Sequence, residues 1–461
     1  MIRRSLVLAL AAALSPMTAQ AADLLQVYEM ARNGDPTLAS AESTRLYDKE
    51  GQVQARAALL PQLDGSATLS RTKSEYEGIG GDALSKTRSY GIDATQTLFD
   101  WSQIATLRAQ RDVSKAADLT LDYANADLIV RTSEAYFNVL IGIESLAAAE
   151  AAEASAKQQF DYADKRLQVG LAPITDVHEA RAEYDQARAD TITARNTLAD
   201  YYEALAEITG QPVRNLRGLP DDFKPEVPAY GSVDELVAAA IEQNQSLLAQ
   251  KLQVSAAEKN LTAARAGHLP TVSLSGSLGR SKTWGRYSGA LAAYEETTST
   301  GGPRTDTNYI GVTLSVPIFA GGATQSAVRQ AIATRDIQQD TYEADKRSVA
   351  RNVRNYYQTV VQGISEIEAR RLAVVSAQAA YDASVIGLQV GTRTVLEVVQ
   401  NQDSLLTAKL AYVQAKYDFL QNRLLLAEVT GKLRIADLQD INRLLTVDAE
   451  ALLQTPVGSN N

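Results

Sequence analysis

The stretch LQVGTRTVLEVVQ, Leu388 to Gln400, opens with a tetrapeptide already used at Leu167 to Gly170, in LQVGLAPITDVHE. Each copy runs on into a helical pattern carrying an acid, Asp176 in the first and Glu397 in the second. Other pairs keep the same order. NGDPTLASAE (Asn33 to Glu42) is echoed by EQNQSLLAQK (Glu242 to Lys251), and LLPQLDGSATLS (Leu59 to Ser70) by HLPTVSLSGSLG (His268 to Gly279). RTSEAYFNVL (Arg131 to Leu140) resembles RNVRNYYQTV (Arg351 to Val360), and AEITG (Ala206 to Gly210) resembles AEVTG (Ala427 to Gly431). A constant order with an offset drifting from 209 to 221 residues is the mark of a duplication whose loops changed length. The halves span residues 22–225 and 232–435, joined by a linker at 226–231 in the proline-containing LPDDFKPEVPAYGS, with a tail at 436–461.

Within each half the periodicity changes at a Leu-Pro break. A helical segment, Leu24 to Leu59 or Val233 to Gly267, gives way after Pro61 or Pro270 to alternation of period two. SATLS and TVSLSGSL alternate apolar with small polar residues, a polar loop follows, and a second alternating run ends each unit: YGIDATQTLF (Tyr90 to Phe99) and YIGVTLSVPIF (Tyr309 to Phe319). Pro317 suits a strand terminus, where no ladder N–H is needed. The stretches between, Lys73 to Ser89 and Lys282 to Asp306, read as surface loops. Residues 101–169 and 321–390 then contain no proline, and each predicts a helix on the order of 100 Å long if continuous. A thin apolar seam in an Ala-rich, charged background fits long helices packed as coiled coils.

Residues 1–21 are a secretory leader: Arg3 and Arg4, an apolar run from Leu6 to Leu14, and the small-x-small site Ala19-Gln20-Ala21. Losing those two arginines takes the formal charge from −10 to −12, an acidic balance that argues against nucleic acid and against charge-driven binding of anionic lipid headgroups. There is no cysteine, so neither disulfides nor N-terminal lipidation are available. No later segment is a candidate transmembrane helix, which leaves an exported soluble protein or one that crosses a membrane as β-strands.

Two strands per half make four per chain, each near the length a tilted strand needs to cross a bilayer. Four strands cannot close a barrel, and bacterial barrels usually have at least eight, so several chains must pool their strands. Small polar residues on one strand face (Thr95, Thr97, Thr313, Ser315) suit a wet lumen, and Phe99, Trp101 and Phe319 suit an interfacial aromatic belt at the strand ends.

The leader, the duplicated halves, both Leu-Pro breaks, AYFNVL, VGLAPITDV, ARNTL, ITG, GHLPT, VGTRT and SVPIFAGG together resemble the TolC family of outer-membrane efflux proteins, over Ala22 to about Leu445. The resemblance implies a mainly α fold with β-strands. A homotrimer would combine a 12-stranded outer-membrane barrel, embedded in outer-membrane lipid, with a helical tunnel across the periplasm and an α/β collar. Its partners would be a periplasmic adaptor and an inner-membrane transporter of the RND or ABC type, and its cargo drugs, secreted proteins or both. The alternative is a periplasmic coiled-coil adaptor or scaffold without a pore, which leaves the four strands unexplained.

The same resemblance implies a gate at the two repeated turns. Arg393 would bond Thr175 and Asp176 of the other helical hairpin, and Glu397 and Gln400 would form the pore constriction. Where Gln400 stands a second aspartate is usual, so a trimeric ring would carry three carboxylates rather than six. Leu388 and Val385 replace a tyrosine and an acid that latch the closed state, and Gln159 would lack its partner.

Enzymatic chemistry finds no support. His178, in DVHEA, has no second ligand at helical spacing; His268, in GHLPT, sits at a helix-to-strand junction. GxSxG, a Walker loop and a cysteine nucleophile are all missing, GIGG at Gly78 reads as a loop tip, and Glu295-Glu296 as solvated surface. No cofactor is called for, and energy for transport must come from a partner.

Overall fold

The computed structural model describes residues 22–76, 81–171, 173–220, 222–226, 231–287 and 304–454. In chain order the elements of the first repeat are α1 (Leu24–Gly34), α2 (Pro36–Ala57), β1 (Gln62–Tyr76), β2 (Gly81–Phe99), α3 (Trp101–Gln168) and α4 (Ile174–Thr209). After the short β3 (Arg217–Gly218) the same sequence recurs as α5 (Val233–Gln243), α6 (Gln245–Ala266), β4 (Thr271–Tyr287), β5 (Arg304–Ser315), α7 (Ala323–Gln389) and α8 (Val395–Val429). The chain ends with α9 (Ile435–Asn442), β6 (Val447–Asp448) and α10 (Ala451–Gln454). The two proline-free stretches are continuous helices of 68 and 67 residues. Glu295 and Glu296, the leader and the loop tip at Gly78 lie outside the described residues.

The opening helix of each half is broken in two, a departure from the single segment expected. In the first half Pro36 lacks an N–H and its ring excludes a helical predecessor. Asp35 then caps α2, accepting from the N–H groups of Thr37 (3.2 Å) and Leu38 (3.1 Å). In the second half no proline is involved: Asn244 Oδ1 accepts from Leu247 N–H at 2.9 Å and starts α6 in the same way. Asp35 and Asn244 are both buried, and they are the aligned residues of the repeat.

The described parts of Met1–Glu42, Thr120–Leu247 and Asp345–Asn461 form one unit. Its core gathers Leu24, Val27, Leu140, Ile143, Leu205, Leu420 and Leu424, with Phe137 stacked on Tyr417 at 5.6 Å. The end of the first repeat is built into this core: Val213, Leu216, Leu219 and Phe223 are buried. β3 pairs antiparallel with β6, Ala22 bridges to Leu216, and Tyr136 Oη donates to the Arg217 carbonyl (2.7 Å).

The second unit, Ser43–Leu119 and Leu248–Ala344, holds a four-stranded antiparallel sheet of order β1-β2-β4-β5. β5 stops at Ser315, two residues short of Pro317. The strands reach further than their sequence predicts. β1 and β2 stay paired out to Tyr76 and Gly81, and β4 and β5 out to Lys282 and Arg304, so much of the expected surface loops is strand. There Arg, Lys, Ser and Thr alternate, so the period of two persists although neither face is apolar. Beside the sheet, Asp118 is clamped by Arg45 (2.5 Å) and Lys49 (2.9 Å), and Asp112 by Lys259 and Ser255.

Candidate functional site: paired helix turns and a two-faced sheet

LQVG is a helix stop. Gly170 (φ 73°) and Gly391 (φ 78°) adopt the left-handed conformation that closes a helix, at little cost for a residue without Cβ. Around the first, Leu171 N–H bonds the Arg166 carbonyl (2.8 Å) and Gly170 N–H that of Leu167 (2.9 Å). Around the second, Thr392 N–H bonds Gly387 O (2.8 Å) and Gly391 N–H bonds Leu388 O (3.2 Å). Both turns place the following helix back alongside.

The restarts differ. α4 begins after Pro173 with no side-chain cap, Asp176 sitting in its first turn. α8 begins on a capping box: Glu397 N–H donates to Thr394 Oγ1 (3.3 Å), and Thr394 N–H donates back to Glu397 Oε2 (2.8 Å). The other carboxylate oxygen of Glu397 accepts from Arg393 Nη1 at 2.8 Å. The Thr394 backbone N–H, then Arg393, hold this carboxyl below the usual glutamate range.

Within one chain Arg393 therefore pairs with Glu397, and none of its described contacts reaches Thr175 or Asp176. Thr175 Oγ1 lies 3.4 Å from Asp176 Oδ1. Gly387 makes room for this arrangement, since a Cβ there would lie 2.4 Å from Arg393 Cγ. Gln400 is exposed one turn beyond Glu397.

Leu388 is buried with Ala163, Val177, Ala180, Val395 and Val398 in a small apolar cluster, against which Val385 also packs. The cluster draws on both hairpins, α3/α4 and α7/α8, so Leu388 and Val385 join them by packing. Further along the same helices a polar cross-link does so too. Ser155 Oγ lies 2.9 Å from Tyr381 Oη, and Gln402 Nε2 donates to the Ala152 carbonyl at 2.9 Å. Sequence reasoning missed these three residues; the signal available was a lone tyrosine on an Ala-rich face, which is faint.

The sheet has two unlike faces. Its register places Leu63, Leu69, Tyr90, Ile92, Leu278, Ile310, Val312 and Leu314 on one side, all exposed, with Leu69 at 77% and Ile310 at 79%. The opposite side carries Ser, Thr, Gly and Asp: Asp64, Ser66, Thr68, Asp93, Thr95, Ser275, Ser277 and Thr313 among them, with Thr87 and Thr283 hydroxyls 3.1 Å apart. Apolar out and small-polar in is the alternation of a barrel wall in lipid. Phe99 closes β2 and Trp101 opens α3 under the Arg108 guanidinium, 5.2 Å from its ring. Phe319 is 89% exposed four residues past the end of β5. His178 and His268 are both exposed, and among the described residues no group of acids and histidines is arranged to hold a metal ion. No helix of the described residues is long and apolar enough to cross a membrane.

A sheet with one apolar and one small-polar face, in one chain with two very long helical hairpins, is the combination of an outer-membrane channel protein. The family model "Outer membrane efflux protein" matches twice, over residues 27–211 and 236–432, once per repeat. The chain belongs to the outer membrane efflux protein family. It is 35% identical to outer membrane protein TolC of Escherichia coli (strain K12), covering 93% of this chain and 86% of that protein. It is 28% identical to the alkaline protease secretion protein AprF of Pseudomonas aeruginosa over 90% and 86% of the two chains. The Campylobacter jejuni CmeC outer membrane channel has the same fold, with a TM-score of 0.74 over 92% of this chain and 90% of that one, at 19% identity. This is an outer-membrane efflux or secretion channel, from a family of transport channels rather than enzymes.

Proposed function

We propose that three copies pool their strands into a 12-stranded barrel and their helical hairpins into a tunnel, a passive exit across the periplasm and outer membrane. The observation that carries this is the open sheet: β1 and β5 each keep one unpaired edge, which in lipid must find a partner. A second copy supplies that partner, β5 of one chain pairing with β1 of the next. The tunnel would open when a periplasmic adaptor and an inner-membrane transporter of the RND or ABC type engage it, that transporter supplying the energy. Phe99, Trp101 and Phe319 would then lie at the membrane interface.

The gate proposal follows from the Arg393–Glu397 pair. Both groups are substantially exposed, 54% and 37%, so water screens the pair and it contributes little to stability. Arg393 can exchange Glu397 for Asp176 and Thr175 of another hairpin at little cost. In the latched arrangement it bonds Asp176; in the released one it returns to Glu397, the ring of Glu397 and Gln400 lining the constriction. Planar-bilayer conductance of the purified, heat-labile trimer tests the reading. Wild type should conduct little and Arg393→Ser more; a trimer that never conducts, with or without that change, overturns it.

A further inference from the structure

The outward sheet face is not apolar along its whole length. Beyond Leu69, Tyr90, Leu278 and Asn308, at the end away from the helices, its register brings seven exposed basic side chains together: Arg71, Lys73, Lys86, Arg88, Arg280, Lys282 and Arg304. The acids whose side chains are described on that stretch are Glu75, paired with Lys73 (2.6 Å), and Asp306, which takes Arg280 (2.7 Å) and Arg304 (3.1 Å). Among the described side chains, Arg71, Lys86, Arg88 and Lys282 have no carboxylate partner.

The placement is electrostatically unfavourable as it stands. Arg71 lies directly across from Lys86, Arg88 from Lys282, and Lys282 from Arg304: three like-charge cross-strand pairs on neighbouring strands. Such pairs destabilise a sheet. An acidic chain, formal charge −10, has nonetheless gathered cations on one face in the row next to its apolar band. The acidic average conceals this segregation, so net charge says little about what this face binds.

We infer that the belt of Arg71, Lys86, Arg88 and Lys282 binds the phosphorylated headgroups of the outermost membrane leaflet. The inference rests on the barrel reading above, which turns this face to lipid. A phosphate set between two opposed cations converts their repulsion into two charge-assisted contacts, and arginine offers the bidentate geometry that phosphate accepts. The band's position supplies the depth: cations one row above the apolar residues meet headgroups while the residues below meet acyl chains.

The test titrates fluorescent lipid A, with and without its phosphates, into delipidated full-length trimer in nonionic detergent. The wild type is compared with a variant carrying Arg71→Gln, Lys86→Gln, Arg88→Gln and Lys282→Gln. Each basic residue near an anionic surface is worth roughly fivefold in affinity. Loss of four should therefore weaken phosphorylated lipid A at least about a hundredfold and leave the dephosphorylated form unchanged. Lys86→Arg with Lys282→Arg should retain wild-type affinity. Equal binding of both lipids by wild type, or undiminished binding by the glutamine variant, overturns the inference. Should that variant fail to assemble, wild type decides alone: selectivity for phosphate must vanish near 1 M salt, where screening acts within about 3 Å. A trimer that conducts normally yet ignores phosphate refutes this inference alone, whereas one that never conducts refutes the barrel as well.

Discussion

Gly170, Gly210, Gly391 and Gly431 end four helices with almost the same backbone, φ of 73°, 72°, 78° and 72°, but in different surroundings. A Cβ added at Gly170 or Gly391 would meet nothing within 4 Å, and at Gly210 it would make ordinary contact 3.5 Å from Gly34 Cα. At Gly431 it would lie 2.3 Å from the Gln243 carbonyl oxygen and 2.6 Å from its carbon, backbone that no rotamer change can move. Left-handed alanine costs about 1 kcal/mol. Restricting the unfolded chain returns about 0.4–1 kcal/mol. Gly170→Ala and Gly391→Ala should therefore destabilise by about 0–1 kcal/mol, and Gly210→Ala by little more. Gly431→Ala adds an overpacking cost of about 1–3 kcal/mol, for a total of about 1–4 kcal/mol. Thermal loss of helical circular dichroism in detergent ranks the four, with heat lability of the assembly on gels in parallel. If Gly431→Ala and Gly391→Ala come out within about 0.5 kcal/mol, the close approach has been misread.

Two further perturbations address the packing and charge of the helical unit. Leu388→Ala empties the centre of the cluster at the hairpin turns and should cost about 2–3 kcal/mol locally, read as faster amide exchange over residues 385–399 with the strands unchanged; unaltered exchange there contradicts the packing role. Glu428 has a buried Oε1 with no hydrogen-bond partner, and burial, then the charge of Asp127, push its carboxyl up to about 7. A raised acid in the folded state means that folding holds the proton longer, so stability falls as pH rises from about 4.5 towards 7. Glu428→Gln should be neutral near pH 4 and stabilising by roughly 2–3 kcal/mol near pH 8; equal effects at the two pH values would sink that account.

The features legible in the sequence are those set by local rules acting over long stretches. Proline-free runs gave helices whose ends lie within two residues of those expected, and Leu-Pro placed both helix-to-strand transitions. The helix break at Asp35 was also local, since Pro36 announces it, whereas Asn244 breaks α6 from α5 with no comparable residue beside it. The capping box of TVLE, Thr394 to Glu397, is a local signal that assigns Glu397 a structural task beside any task at the pore. Register was the information missing elsewhere. RTK at Arg71 to Lys73 and KTR at Lys86 to Arg88 look like solvated loop until pairing sets them opposite each other and sends every cation to one face. Ser155, Tyr381 and Gln402 likewise meet only because helices remote in sequence pack together.

The duplicated cap shows how sites with one ancestry acquire opposite electrostatic needs. Asp35 and Asn244 each accept helix N–H groups, a task an aspartate or an asparagine can perform. Their second contacts differ. Asp35 Oδ2 receives Arg131 at 2.7 Å, whereas Asn244 Nδ2 donates to the Val429 carbonyl at 3.0 Å. Asn244 also lines a polar cleft with Glu428, Tyr123 and Asp345. Asn244→Asp keeps the cap but turns a donor into an acceptor, leaving a buried carbonyl facing a carboxylate, with two further acids around the cleft. The unpaired carbonyl alone costs about 1–3 kcal/mol, and the charge adds to it. Asp35→Asn loses one ion pair, but Arg131 keeps Asp127 at 2.7 Å, so its cost should be about 1 kcal/mol. Near pH 8 the first change should therefore be the more damaging. Acid should reverse that order, because the carboxyl introduced by Asn244→Asp, once protonated, can again donate to Val429 while Asp35→Asn gains nothing. An Asn244→Asp protein whose instability persists unchanged at pH 4 would show that lost shape, not lost charge complementarity, governs the site.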